Sequence, residues 1–408
     1  MIIESILAGS VWIGAEYLKN GYGGNEKKKL DRIFRKSGLY IKYNGKEDTP
    51  KLLRVSRKES FIEYIYRIPE GLSFSDFEKK KQVIEDSLNS SKNTPEFSFS
   101  MIREFDLKGD YKKQIQSIIE PKSTLKEVYL SFDRVLKIKV FNEPLTDYLP
   151  YEKVPKCGDW EIPIGVTRTG FIKHSFDKIM HMVIAGTTRY GKSIFLKNVI
   201  TTLLLNHPKR VSFILIDLKG GLTFQRFKDC PQVISIASNA EESLEVLEMV
   251  NNQIDEVMEF MKANGYENVQ EAGIKNRCFI IVDEGAELSP NIEKDTDLKK
   301  IKGKCETILS RIARVSGALG YRLIYATQTP YSEILNHNIK QNCDAKLCFK
   351  LQSNKASEVV LGEGITDAAH LPFIKGRGVY ITDRKHIVQT PMIENDYIER
   401  VVNNVINS

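Results

Sequence analysis

Gly186-Thr187-Thr188-Arg189-Tyr190-Gly191-Lys192-Ser193 is the stretch on which the rest of the chain depends. Two glycines bound a turn, and a lysine and a hydroxyl follow the second, giving the pattern G-x-x-x-x-G-K-[ST]. The context agrees. Met182-Val183-Ile184-Ala185 is an apolar run of the kind found in buried parallel strands, and Ile194 to Leu205 reads as a helix. A strand, a glycine-bounded turn and a helix start gather backbone N–H groups around one point, and that geometry stabilises phosphate anions. The segment from Gly186 to Ile194 is therefore expected to cradle a nucleotide. Lys192 is expected to reach its β- and γ-phosphates, and Ser193 to hold Mg²⁺.

Downstream, Val211 to Ile216 reads as a second buried strand, ending in Asp217-Leu218-Lys219-Gly220-Gly221. Polar and glycine residues at the carboxyl end of a parallel strand line the ligand crevice of an α/β sheet. A helix from Glu241 to Ala263 follows, closed by Gly265. Cys278 to Val282 is the third strand, and Asp283-Glu284 comes at once after it. Asp283 is expected to hold Mg²⁺ through water, and Glu284 to polarise an attacking water. Many strands end in acids; this pair takes its meaning from the phosphate loop upstream. Ser289 to Lys304 is polar and lysine-rich, and the helix expected from Cys305 to Leu319 carries Arg311 and Arg314. A fourth strand, Arg322 to Ala326, ends in Thr327-Gln328-Thr329-Pro330, where Gln328 is placed to sense a terminal phosphate or orient water. Lys346 to Leu351 reads as a fifth strand. Gly378 to Thr382 begins a hairpin that returns through Ile387 to Gln389, and a short helix follows Glu394.

Upstream, strand-like stretches run from Leu39 to Tyr43, Lys51 to Val55 and Phe61 to Arg67. A helix from Phe77 to Leu88, capped by Ser73 or Ser75, and a hairpin of Tyr129 to Phe132 with Leu136 to Phe141 complete a small α+β region. Pro144 to Pro155 reads as a linker. The expected division is an N-terminal helix and hinge over 1–25, an α+β domain over 26–155, an α/β ATPase with a mostly parallel sheet over 156–395, and a tail over 396–408.

The 408 residues are 41% hydrophobic and 28% charged, an ordinary globular composition, with a formal net charge of +7 that permits a polyanionic partner without demanding one. Six scattered cysteines form no C-x-x-C or Cys/His cluster, which suggests reduced thiols and a cytoplasmic protein. Near the N-terminus, the uncharged run Ser5 to Ala15 is too short to cross a bilayer and lacks the basic start of a secretory signal. Lys27-Lys28-Lys29 leaves peripheral membrane contact open.

His181 to Thr188 with Gly191-Lys192-Ser193 resembles the motor of the FtsK/SpoIIIE family of DNA translocases. So do Ile281-Val282-Asp283-Glu284 with Ala286-Glu287-Leu288, and Tyr325-Ala326-Thr327-Gln328-Thr329-Pro330. The likeness runs from about 160 to 390, in order. It implies a RecA-like fold, ATP with Mg²⁺ as the nucleotide, and a ring, as a hexamer, around double-stranded DNA. It also implies a trans-acting arginine, for which Arg311 stands first and Arg314 second. Two departures stand out. The family's P-loop usually has Gly-Ser where this chain has Arg189-Tyr190, and its Ser-Ser-x-x-Asp-Ser-Arg segment is degraded to Gln352-Ser353-Asn354-Lys355-Ala356-Ser357-Glu358. The chain resembles small single-motor forms from plasmids and conjugative elements, without the family's multi-span membrane domain or C-terminal winged helix. That role brings in a relaxase, a replication protein or a transfer-channel protein as partner, and covers transfer or segregation. Two alternatives stay open: a type VII protein-export ATPase, which Asp217-Leu218-Lys219-Gly220-Gly221 resembles, and a non-motor scaffold. The lysines from Lys294 to Lys304 are expected in a pore loop touching DNA phosphates, or on a solvated surface.

Overall fold

The apolar runs that end in acids, threonine or glycine become neighbouring parallel strands. A computed structural model describes residues 26–90 and 125–407. The helix and hinge expected over 1–25, and most of the polar loop expected from Asn89 to Pro95, lie outside the described residues. The chain divides into two units between Leu145 and Thr146.

The first unit begins with a helix over residues 26–36, α1. A small hairpin, β1 (Ile41–Tyr43) and β2 (Lys46–Asp48), leads to β3 (Lys51–Arg57) and β4 (Phe61–Arg67). Helices α2 (Phe74–Lys79) and α3 (Lys81–Asn89) precede β5 (Glu127–Asp133) and β6 (Val135–Phe141). The antiparallel sheet has the order β3-β4-β6-β5. Alternation decides its buried face: Ile62, Tyr64 and Tyr66 of β4 and Leu136, Ile138 and Val140 of β6 meet Leu30, Phe34, Phe77 and Ile84 of the helices. The two buried tyrosines find acceptors on α1, since Tyr64 Oη donates to Glu26 at 2.7 Å and Tyr66 Oη to Asp31 at 3.4 Å.

In the second unit a hairpin, β7 (Glu161–Thr167) and β8 (Gly170–Ser175), comes before β9 (Met182–Ala185) and α4 (Lys192–Asn206). Then follow β10 (Val211–Asp217), β11 (Val233–Ala237), α5 (Ala240–Asn264), β12 (Arg277–Asp283), α6 (Thr296–Val315) and β13 (Tyr321–Thr327). The chain ends with α7 (His337–Asn342), β14 (Ala345–Phe349), α8 (Asn354–Leu361), α9 (Asp367–His370), β15 (Arg377–Ile381), β16 (Lys385–Gln389) and α10 (Asn395–Ile406). The ten-stranded sheet runs β11-β10-β12-β13-β9-β14-β15-β16-β7-β8. Strands from β11 to β14 in that order are parallel, and the last four pair antiparallel. Alternate residues of the apolar runs enter separate cores. Val183, Ile214, Ile280 and Leu323 pack with Leu247 and Ile254 of α5 and Ile312 of α6. Met182, Phe213, Phe279 and Ile324 pack with Phe195 and Val199 of α4 and Ile398 of α10. Both faces of the parallel strands are thus covered, which is why these strands are apolar throughout rather than alternating.

Several local readings change. Most of the lysine-rich stretch expected as a loop, Lys299 to Lys304, lies in the first half of α6, with Lys294 just before it: Asp295 caps the helix, its side chain accepting the N–H groups of Asp297 and Leu298, both at 2.9 Å. That helix ends at Val315, where Ser316 and Gly317 begin a 3₁₀ turn. From Thr146 on, the stretch read as a linker is part of the second unit, where Tyr151 is buried and its hydroxyl lies 2.6 Å from Thr202 Oγ1. β11 and the β7–β8 hairpin carry half-exposed residues and lack the continuous apolar signature.

At the end of the sheet away from the phosphate loop, Asp177 joins two arginines. Arg277 donates to both carboxylate oxygens at 2.9 and 3.1 Å, and fully buried Arg322 donates at 2.9 Å. Burial pushes the Asp177 carboxyl up, but the arginine hydrogen bonds and charges outweigh it and hold the group below the usual range. Nearby His181 accepts the Leu323 N–H at 2.9 Å through Nδ1. Burial, aided by the Arg322 charge, lowers the His181 pKa from 6.5 to about 3, and burial lowers that of His174 likewise to about 3. Both histidines are neutral when folded, whereas in the unfolded chain they take protons below about pH 6.5. Their contribution is present above pH 6.5 and is lost as pH falls toward 3. The urea midpoint is expected to fall as pH drops through this window, and His181→Asn, which keeps an acceptor, to flatten part of the fall. A wild-type midpoint constant across it contradicts the account.

Candidate active site

The register aligns the carboxyl ends of four strands. Asp217 of β10 pairs with Asp283 of β12, Val282 with Tyr325 of β13, and Thr327 with Ala185 of β9. Asp217, Asp283, Thr327 and the start of the phosphate loop therefore stand in one row along one edge of the sheet, where α/β sheets hold ligands.

Close backbone approach shapes the loop. The Gly186 N–H donates to the Thr327 carbonyl at 3.2 Å, and the Thr187 N–H and hydroxyl both donate to the Lys350 carbonyl, at 3.1 and 2.9 Å. A Cβ on Gly186 would lie 2.6 Å from Phe349 Cβ. Gly191 turns into α4 with φ +119, and Arg189 holds φ +74, a conformation that costs a side-chain-bearing residue. The Tyr190 carbonyl accepts the Gly376 N–H at 2.9 Å. Thr188 and Arg189 are exposed at the tip, and Ile194 packs partly into the core beneath. This is a backbone cradle of the kind that suits phosphate, and it opens onto a helix N-terminus.

Below the cradle the charges are buried. Lys192 is 4% exposed and pairs with Asp283, with Glu284 Oε2 at 3.7 Å. Ser193 donates to Asp283 Oδ2 at 3.4 Å and Thr223 to the same oxygen at 3.0 Å. A carboxylate with two hydroxyls is an all-oxygen donor set, which fits a hard cation such as Mg²⁺. Glu284 holds a left-handed backbone, φ +65, for which an unbranched acid is strained. Its Oε1 accepts the Gln328 N–H at 2.8 Å and the Thr327 hydroxyl at 3.2 Å. The Gln328 side chain in turn accepts from Thr188 Oγ1 at 2.7 Å, so it bridges the loop to Glu284.

The expected residues from Gly186 to Ile194, with Asp283, Glu284 and Gln328, thus share one crevice. Arg311 is elsewhere, on α6, where its guanidinium is bound by Asp255 and Asn251 of α5. Arg314 is exposed on the same helix. Two residues with no assigned role also reach the crevice. Lys219 Nζ lies 3.2 Å from Glu284 Oε2, and Thr223 contacts Asp283 as above. Both sit on the loop after β10, whose polar and glycine residues already pointed to the crevice; nothing local singles out Thr223. Among the described residues no group of three or more His, Cys, Asp or Glu is arranged to hold a metal, and no helix is long and apolar enough to cross a membrane.

Gly285, next to Glu284, has no room for a side chain, because a Cβ would land on the Tyr325 ring. Gly285→Ala is expected to destabilise the chain by about 1–3 kcal/mol. A thermal midpoint equal to wild type would show that Tyr325 yields and that this contact does not hold Glu284 in place.

The sequence model of the FtsK/SpoIIIE family matches residues 162–278, which include the whole phosphate loop and stop short of Asp283. The DNA translocase FtsK of Tropheryma whipplei is 27% identical over 249 residues, 57% of this chain and 32% of that protein. That of Streptococcus pneumoniae is 26% identical over 267 residues, 60% of this chain and 33% of that protein. The chain thus spans about a third of the length of these curated relatives. Among solved structures, the pCW3 conjugation coupling protein TcpA, in a monomer form with ATPγS, is 19% identical with a TM-score of 0.62, over 93% of this chain and 98% of that one. The cytoplasmic domain of the Thermomonospora curvata type VII secretion ATPase EccC is 21% identical with a TM-score of 0.52, over 65% of this chain and 33% of that one. The shared fold is that of the RecA-like P-loop ATPases. Over residues 162–278 the chain is similar to the FtsK/SpoIIIE family.

Proposed function

We propose that this chain is an ATP-driven translocase of double-stranded DNA, working as a ring in the transfer of plasmid or conjugative-element DNA. The observation that carries hydrolysis is the position of Glu284: a buried carboxylate beside Lys192, tied through Thr327 and Gln328 to the tip of the phosphate loop. A purely structural nucleotide site has no use for a strained acid there. In this reading the backbone from Gly186 to Gly191 would hold the phosphates of ATP, Lys192 would move to the β- and γ-phosphates, and Ser193 and Asp283 would hold Mg²⁺, which would supply charge neutralisation. Glu284 accepts the proton of the attacking water, and Gln328 reports the terminal phosphate.

The trans-acting cation comes from α6. Arg311 must exchange Asp255 and Asn251 for a neighbour's nucleotide, whereas Arg314 starts exposed. The same helix exposes Lys299, Lys300 and Lys304, so the proposed DNA contact comes from a helix rather than a loop, and goes to phosphates. The conjugative setting draws on the coupling protein whose fold spans nearly all of both chains. The sequence from Asp217 to Gly221 favours protein export as the second reading, and a polypeptide-stimulated, DNA-indifferent ATPase would establish it.

Steady-state ATP hydrolysis with and without linear duplex DNA is the test. Duplex stimulation that declines with salt is expected. Lys192→Ala is expected to lose nucleotide binding, and Glu284→Gln to bind ATP but turn it over about 100-fold or more slowly. Normal turnover by Glu284→Gln removes Glu284 as the base. Separately, Lys299→Ala with Lys300→Ala is expected to lower duplex stimulation and spare basal hydrolysis; undiminished stimulation takes α6 out of the DNA path.

A further inference from the structure

The two carboxylate oxygens of Glu284 have different partners. Oε1 is held by the Gln328 N–H and the Thr327 hydroxyl. Oε2 has no well-aligned hydrogen bond, yet it lies 3.2 Å from Lys219 Nζ and 3.7 Å from Lys192 Nζ. The shorter distance marks an ion pair whose angles fall short of a hydrogen bond, so Lys219 is the principal neighbour. Lys192 is committed to Asp283. The Lys219 side chain is 40% exposed while that of Glu284 is 3% exposed, so an ammonium reaching in from the surface covers the one oxygen left for water.

The loop that carries Lys219 is held at its ends and open at its tip. Buried Asp217 accepts the N–H groups of Lys219 at 3.1 Å and Thr223 at 2.6 Å. Thr223 also touches Asp283. Between these anchors Gly220 and Gly221 take φ +83 and +72, a consecutive left-handed pair, and Leu222 at the tip is 79% exposed. The same short loop therefore contacts both acids of the site and presents an apolar side chain to the outside.

We propose that Lys219 is a positioning residue that gates Glu284. Paired, it withholds Oε2 from the attacking water; swung outward, it releases Oε2 while Thr327 and Gln328 keep the carboxylate aimed. A contact that draws the loop out by its Leu222 tip opens the gate. This inference rests on the reading of Glu284 as the base for ATP hydrolysis.

Basal hydrolysis by the full chain, with affinity for a fluorescent ATP analogue measured alongside, tests it. Lys219→Ala is expected to raise basal kcat about fivefold, the scale of a partly exposed ion pair, with KM and affinity unchanged. Lys219→Arg is expected to restore the wild-type rate. The double variant Lys219→Ala with Glu284→Gln is expected to be as slow as Glu284→Gln, because the gain passes through that carboxylate. A basal kcat for Lys219→Ala at or below wild type overturns the gate. A wild-type chain that does not hydrolyse ATP removes the proposed function and the gate together, whereas a hydrolysing wild type with an unaltered Lys219→Ala removes the gate alone.

Discussion

A lysine ammonium that is 4% exposed must be paired, and the rest of the second unit is arranged so that Lys192 finds Asp283. The two residues come from different strand–turn junctions, after β9 and at the end of β12, with β13 between those strands. Their meeting requires three strands to end in register at one edge, and the apolar runs make that possible by filling both cores behind them. Ser193 and Thr223 add hydroxyl hydrogen bonds to the same carboxylate, so the buried charge is satisfied from several elements at once.

Backbone strain collects around this pair. Arg189 and Glu284 both hold left-handed conformations, and Gly186 and Gly285 admit Phe349 and Tyr325 to distances that no side chain of their own would allow. Such conformations persist only where the surroundings over-determine them. Here the surroundings are the core rings on one side and the Thr188–Gln328–Glu284 chain of hydrogen bonds on the other. At the opposite end of the sheet Asp177 ties Arg277 and Arg322 together in charge-assisted geometry. One end anchors the strands and the other is free to be spent on chemistry.

The two helices beside this sheet carry the residues most easily misassigned. Arg311 sits in helical register to meet Asp255 and Asn251, an inter-helix contact that gives it a structural use within one chain. The lysines of α6 line the first turns of a capped helix, so their spacing is helical and their number on any one face is smaller than the sequence run suggests. Lys302 is taken by Glu293 at 2.7 Å, and Lys300 pairs with Asp297 at 3.1 Å on the exposed surface.

Local chemistry made much of this legible. The glycines bounding the phosphate loop, the Lys-Ser that opens α4, and the acids at strand ends are short-range signals, and the structure brings them into one crevice. Gly265 closing α5 with φ +73 is of the same kind. The start of α6 was written in Asp295 and in Leu298, Ile301 and Cys305, which follow it at helical spacing, but the lysines between them read as a loop. Strand order, the ion pair of Lys219 with Glu284, the hydrogen bond from Thr223 to Asp283 and the capture of Arg311 were not legible, because each joins residues tens of positions apart. By itself the sequence determined which segments are strands buried on both faces and where a glycine-bounded loop suited to phosphate opens a helix, since those follow from residue type over a few neighbours. Only the tertiary structure decided which side chains share the crevice, since that depends on the register in which distant strands align when their apolar faces are buried together.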